Sequence, residues 1–163
     1  MTTPADEPGR TAPVDTRVVR GDGEFPGWLD RPRLARFLHE ALKPYEDTVE
    51  DIERALDYAF TPSAGQGGFL VLAHRGRTPL GALLMLRTGM KGYVPENILL
   101  FVAVTPEARG QGLGGRLIRE AIDQCEGDVK LHVEYDNPAK RLYERIGFTS
   151  KYAEMRYARK EQA

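Results

Sequence analysis

Between an apolar stretch at residues 98–104 and a helical pattern running to Cys125 stands a glycine-dense segment, Arg109-Gly110-Gln111-Gly112-Leu113-Gly114-Gly115. It constrains the fold because a side chain with a Cβ seldom adopts the left-handed backbone that a tight strand-to-helix connection needs. The first N–H groups of the following helix have no partner within it and lie at the positive end of its dipole. An anion such as a diphosphate suits that place, since glycines let it approach the main chain closely.

Three phosphate-binding signatures compete for the segment. A Walker loop is excluded, because no Lys-Ser or Lys-Thr pair follows a glycine at the required spacing. Gly110, Gly112 and Gly115 satisfy the dinucleotide fingerprint literally. That fingerprint turns straight out of its strand, however, and here residues 105–109 intervene. The third signature is Arg-x-x-Gly-x-Gly, met by Arg109, Gly112 and Gly114.

Two motifs carry a family resemblance. One is Val102-Ala103-Val104-Thr105-Pro106-Glu107-Ala108-Arg109-Gly110-Gln111-Gly112-Leu113-Gly114. The other runs Leu131-His132-Val133-Glu134-Tyr135-Asp136-Asn137-Pro138-Ala139-Lys140-Arg141-Leu142-Tyr143-Glu144-Arg145-Ile146-Gly147-Phe148. In this order and spacing, residues 96–148 resemble the GNAT superfamily of acyl-CoA-dependent N-acyltransferases. The first 90 residues match it only in coarse layout.

The resemblance implies an α/β fold: a mixed, largely antiparallel sheet, splayed between two parallel strands, with helices on both faces. It implies acetyl-CoA as cosubstrate. The pantetheine arm would pair with backbone groups of Val102, Ala103 and Val104, filling a vacancy in the sheet as an added strand does. N–H groups from Arg109, Gly110, Gln111, Gly112, Leu113 and Gly114 would hold the diphosphate. The Arg109 side chain is either a phosphate ligand or a brace for the loop. Asn137 would meet the cofactor arm, although Asn-Pro is also a favoured way to begin a helix. Tyr143 would serve as general acid toward the leaving CoA thiolate. It also fits a helical stripe with Ala139, Leu142 and Ile146, so a packed core tyrosine is the alternative.

A proton must also leave the acceptor ammonium. Glu96, just before the central strand, is the nearest carboxylate by topology and the candidate base. Glu134, Asp136, His132 and a chain of waters are its rivals. Cys125 would permit an acyl-cysteine route, but it continues the apolar helical stripe of Leu113, Leu117, Ile118, Ala121 and Ile122. Direct transfer in a ternary complex is therefore expected.

Composition bears on partners and place. At 163 residues the chain suits one domain of ordinary size. A net charge of −1 supplies no field for nucleic acid or anionic lipid. The lone cysteine and the lack of a signal-like or membrane-spanning run point to a cytoplasmic protein. Residues 1–14 read as a disordered arm, rich in proline among polar residues, and residues 15–163 as a single domain.

Strands are expected at residues 16–20, 69–74, 80–86, 98–104 and 129–134, with a further strand in the tail at 148–159. Helices are expected after Asp30, after Thr48, after the glycine segment and from Pro138 to Ile146. Tyr45, Glu46, Asp47, Tyr93 and Glu96 suit a cationic amine, so the acceptor is expected to be an amine of a small molecule or peptide. Only fifteen residues follow Phe148, too few for the usual closing pair of strands. A second copy of the chain is a candidate to complete the acceptor site. The competing functions are a non-catalytic acyl-CoA-binding regulator, a nicotinamide-dependent oxidoreductase and a structural partner protein.

Overall fold

The computed structural model describes residues 12–161; most of the expected N-terminal arm lies outside them. The order of elements is β1 (Asp15–Val19), α1 (Arg31–Ala41), α2 (Val49–Phe60), β2 (Gln66–Arg75), β3 (Thr78–Thr88), β4 (Asn97–Val104), α3 (Leu113–Asp123), β5 (Val129–Leu131) and α4 (Ala139–Ile146). Short 3-10 turns occupy Asp22–Glu24 and Pro106–Ala108. Two compact units result, one ending at Leu131 and one beginning at His132.

The first unit is built on a five-stranded sheet in the order β1-β2-β3-β4-β5. Its strands pair antiparallel except for β4 with β5, which run parallel. The β2–β3 hairpin forms its centre, and its near-continuous apolar sequence follows from burial of both faces. Alternation decides which helix each residue meets. Leu70, Leu72, Ala82 and Leu84, with Phe101 and Ala103 of β4, join Leu34, Leu38, Ile52 and Leu56 of α1 and α2 in one core. The opposite face carries Gly81, Leu83 and Met85 and takes α3. A Cβ built on Gly81 would lie 3.1 Å from the Leu117 side chain and 2.8 Å from the Ala103 carbonyl oxygen. Glycine at 81 therefore lets β3, β4 and α3 close on one another.

Caps set the starts of the first two helices. The Asp30 carboxylate accepts the Arg33 N–H at 2.9 Å, and Pro32 occupies the first turn, where its missing N–H costs no hydrogen bond. Thr48 Oγ1 accepts the Asp51 N–H at 3.1 Å. Both starts agree with the sequence pattern.

In the second unit, Asn137 Oδ1 accepts the Ala139 N–H at 3.0 Å and so opens α4. Gly147, at φ 124°, closes it. The Phe148 N–H donates back to the Tyr143 carbonyl, and the two rings meet edge to face at 5.9 Å.

Two expectations need correction. The strand at 129–134 is paired only through Leu131, and the tail at 148–159 forms no strand among the described residues. Tyr152, Met155 and Tyr157 in that tail are largely exposed. Alternating apolar residues indicate which sides of a strand differ, but a strand exists only where another supplies hydrogen bonds. Among the described residues no helix is long and apolar enough to cross a membrane.

Candidate active site

Strand β4 is paired with β3 along most of its length, but with β5 only from Asn97↔Val129 to Leu99↔Leu131. From Leu100 onward its β5-side edge has no strand partner among the described residues. That edge includes Val102, Ala103 and Val104. The β3–β4 register also slips, Leu84 facing Phe101 and Met85 facing Leu99. Leu100 is thus left over as a bulge and is 40 % exposed. A bulge locally breaks the ladder and redirects main-chain groups, and this one lies two residues before Val102.

The glycine segment follows β4 after the turn at Pro106–Ala108. Gly110 and Gly112 both adopt left-handed conformations, φ 76° and 79°. A Cβ at either would meet nothing within 4 Å, so the turn, not crowding, demands glycine there. The first donation within α3 is from the Arg116 N–H to the Gly112 carbonyl at 3.1 Å. Among the described residues, no backbone acceptor meets the N–H groups from Gly110 to Gly115. No side chain caps this helix start either. A row of donors at the positive end of a helix dipole is thereby left for an anion. Gln111 donates its side-chain amide to the Glu107 carbonyl at a long 3.4 Å. Leu113 is buried beneath the loop, so its part toward a ligand is confined to its main chain.

The alternatives for Arg109 are separated by geometry. Its Nε donates to the Val104 carbonyl and its Nη2 to the Ala41 carbonyl, both at 3.0 Å. The guanidinium thus ties the end of β4, the loop and the C-terminus of α1 together. A cation at the carbonyl end of α1 also complements that helix's dipole. Arg109 is a brace. A pocket of about 140 Å³ adjoins the loop, lined in part by Arg75, Leu80, Gln111, Gly112 and Arg116.

At the opposite end of β4, Glu96 Oε2 accepts the Asp128 N–H at 2.8 Å. That bond, then one from its own backbone N–H and the nearby Lys91 charge, holds the Glu96 carboxyl below its ordinary value against a small opposing effect of burial. Such a carboxylate is ionised at neutral pH and is a weaker base than an unbonded one. Sequence reasoning missed its neighbour Asn97, a buried residue whose side-chain amide donates to the Glu126 and Asp128 carbonyls at 2.7 and 3.2 Å. Those partners lie about thirty positions away in sequence, so no local pattern signals them.

In the second unit, Tyr143 is 8 % exposed, and burial raises its phenol pKa. The Asn137 side chain is engaged at the start of α4. Glu134 and Asp136, the rival bases, are exposed, as is Tyr135 between them. Cys125, in the first unit, donates its thiol to the Ala121 carbonyl, and burial pushes it up to about 11. Among the described residues no cluster of His, Cys, Asp and Glu is arranged to hold a metal.

The mixed sheet, with its one parallel pair, leads into a strand–glycine loop–helix turn. Residues 34–148 match the Acetyltransferase (GNAT) family, and the chain belongs to that family. Among curated proteins, a 54-residue stretch covering 32% of the chain is 43% identical to the Cysteine-rich protein 2-binding protein of Mus musculus, over 7% of that protein. Another, of 62 residues and 35% of the chain, is 42% identical to Mycothiol acetyltransferase of Actinosynnema mirum, over 21% of it. The chain thus spans less than a quarter of the length of these relatives. In fold it is similar to an aminoglycoside N-acetyltransferase solved in complex with CoA, with a TM-score of 0.59 at 14% identity, over 90% of this chain and 99% of that one.

Proposed function

We propose that the chain transfers an acetyl group from acetyl-CoA directly to a primary amine of a small molecule or peptide, in a ternary complex. The observation that carries this is the row of N–H groups at the start of α3 that, among the described residues, meet no acceptor, following a β4 edge with no strand partner among those residues. Amides of a pantetheine arm can pair along Val102, Ala103 and Val104 as a substitute strand. The diphosphate then meets the main chain from Arg109 to Gly114, with the Arg109 side chain fixing the loop.

The acceptor ammonium first gives up a proton to solvent through a chain of waters. The neutral amine then attacks the thioester carbonyl, and a main-chain N–H near Val102, beside the bulge, stabilises the oxyanion. The second proton of the attacking nitrogen leaves by the same waters. Donors of this kind contribute about 10²–10³ in rate. The tetrahedral intermediate collapses with loss of the CoA thiolate. Tyr143, a phenol and so protonated at neutral pH, donates to that sulfur. Asn137 contributes to the cofactor site while holding α4 in place. Glu96 touches none of the reacting groups and acts through the Asp128 N–H that it bonds. A cysteine route is disfavoured, because a thiol near 11 is almost wholly protonated at neutral pH.

Glu46 and Asp47 are exposed on the α1–α2 connection, beyond the helix end that Arg109 grips. They supply negative charge for a cationic amine, with Tyr45 and Tyr93 as aromatic neighbours in the acceptor region. We place the protein in the cytoplasm, and a second copy of the chain is the candidate to complete the acceptor site. The test is release of free CoA thiol from acetyl-CoA across a panel of polyamines, aminoglycosides and peptide amines. Release dependent on one amine class supports the proposal. Tight acetyl-CoA binding with no release for any amine would favour a non-catalytic binding protein, and no binding at all would remove the transferase.

A further inference from the structure

We infer that Glu96 and Asn97 form a polar pin at the closed end of the β4–β5 gap, acting on the reaction as positioning residues by fixing where that gap begins. The inference rests on the proposed transferase activity. The parallel ladder between β4 and β5 is only three residue pairs long, from Asn97↔Val129 to Leu99↔Leu131. So short a ladder depends on what anchors its first rung. Four interactions converge there, all on the turn between α3 and β5. The Glu96 carboxylate accepts the Asp128 N–H at 2.8 Å. The Asn97 amide nitrogen donates to the Glu126 carbonyl at 2.7 Å and to the Asp128 carbonyl at 3.2 Å. The Asn97 N–H donates to that same Asp128 carbonyl at 3.1 Å.

The turn is shaped to receive these groups. Gly127 stands at φ +81°, and a Cβ there would come within 2.4 Å of the Glu96 carboxyl carbon. Glycine suits the left-handed backbone there and leaves room for the Glu96 side chain to lie across it. Apart from the Tyr143 phenol, Asn97 is the only polar or charged side chain among the buried described residues, 2 % exposed. A buried amide is retained at such a place when its hydrogen bonds fix a geometry that apolar contacts alone leave free. Two consecutive side chains therefore hold one turn from two directions. Just beyond them β5 ends at Leu131, and β4 runs on with no strand partner on that edge among the described residues. Loosening the pin would let β5 drift along or away from β4 and change the width of the edge that the cofactor arm must fill.

The test compares Glu96→Gln, Glu96→Ala and Asn97→Ala with the unaltered protein. Acetyl-CoA affinity is measured by calorimetry, turnover by thiol release with the best amine, and local opening by amide hydrogen exchange. Glu96→Gln keeps an acceptor oxygen for the Asp128 N–H but cannot take up a proton. It should leave exchange at Asp128, the Kd, KM and kcat within about twofold, and the pH profile of kcat unmoved. Glu96→Ala and Asn97→Ala should speed exchange at Asp128 to Leu131 and raise KM and Kd by about five- to tenfold, with kcat less affected.

A fall in kcat of about a hundredfold in Glu96→Gln, with KM unchanged and the acidic limb of the pH profile lost, would make Glu96 the general base and overturn the pin. So would unchanged exchange and affinity in Glu96→Ala, which removes a half-buried side chain that is no part of the apolar core. Either outcome leaves the transferase activity standing. Failure of the unaltered protein to bind acetyl-CoA overturns both together.

Discussion

At the scale of single residues, Tyr143 and Cys125 carry the contrast between the two chemistries open to this chain. Burial acts on both in the same direction, raising each pKa. The consequence differs because the roles differ. A thiol at about 11 is thiolate in roughly one molecule in 10⁴ at pH 7, which disarms a nucleophile. A phenol raised above its usual value of about 10 stays protonated and so keeps its proton to donate, although as a weaker acid than an exposed tyrosine. Tyr143→Phe, which keeps the ring against Phe148, should lower kcat by about a hundredfold while leaving the KM for acetyl-CoA nearly unchanged. Equal turnover would take Tyr143 out of the mechanism. Cys125→Ala should retain full activity, and loss of activity in a folded variant would restore the acyl-cysteine route. The pH dependence follows in sign. Activity should persist through neutral pH and decline only as pH rises through the raised phenol value. Stability from the same residue is complete below the unfolded tyrosine's value and is lost as pH climbs through the folded one. A kcat profile whose alkaline limb is the same in Tyr143→Phe would sink this assignment.

At the scale of elements, two glycines on the cofactor side should fail in different ways. Gly112 has open space around it and is needed only for its left-handed φ of 79°. Gly112→Ala should therefore cost about 1–2 kcal/mol of stability, raise the KM for acetyl-CoA, and spare kcat at saturation. Gly81 lies where a methyl would press on the Ala103 carbonyl and the Leu117 side chain. Gly81→Ala should destabilise by about 1–3 kcal/mol, with affinity falling only as far as β4 is displaced. Denaturant titration beside kinetics separates the two; equal profiles would contradict the distinction. Much of this side of the molecule was legible in the sequence, because the information is local. Caps at Asp30 and Thr48, the hairpin around Gly76 and the Gly110–Gly112 turn are each set by a few neighbouring residues. The rest needed contacts. The early end of β5 at Leu131, the unpaired tail and the placement of Glu96 on Asp128 depend on partners distant in sequence. Arg109 shows both sides: its presence marked the family pattern, but only the Ala41 and Val104 carbonyls identify it as a brace.

At the scale of the whole molecule, the proposed anion site lies between elements that hold the core of the first unit together. Arg109 links α1 to β4, and α3 packs its Leu117, Ile118 and Ala121 against the sheet directly behind the loop. Ligand binding at the loop should therefore oppose unfolding of that unit as a whole. A ligand that binds only the folded state stabilises it by about 2.7 kcal/mol at 100 times its Kd. For a chain of this length each kcal/mol moves Tm by roughly 2–4 °C, so acetyl-CoA at that ratio should raise Tm by about 5–10 °C. Free CoA, which keeps the diphosphate, should give most of the shift, whereas NAD should give little, since its fingerprint requires a turn straight from the strand that this chain lacks. Gly112→Ala should shrink the acetyl-CoA shift at fixed ligand concentration, because its affinity is lowered at the loop itself. A shift from NAD matching that from acetyl-CoA would mean that Gly110, Gly112 and Gly115 serve a dinucleotide after all. A shift from acetyl-CoA unchanged in Gly112→Ala would place the cofactor elsewhere on the protein.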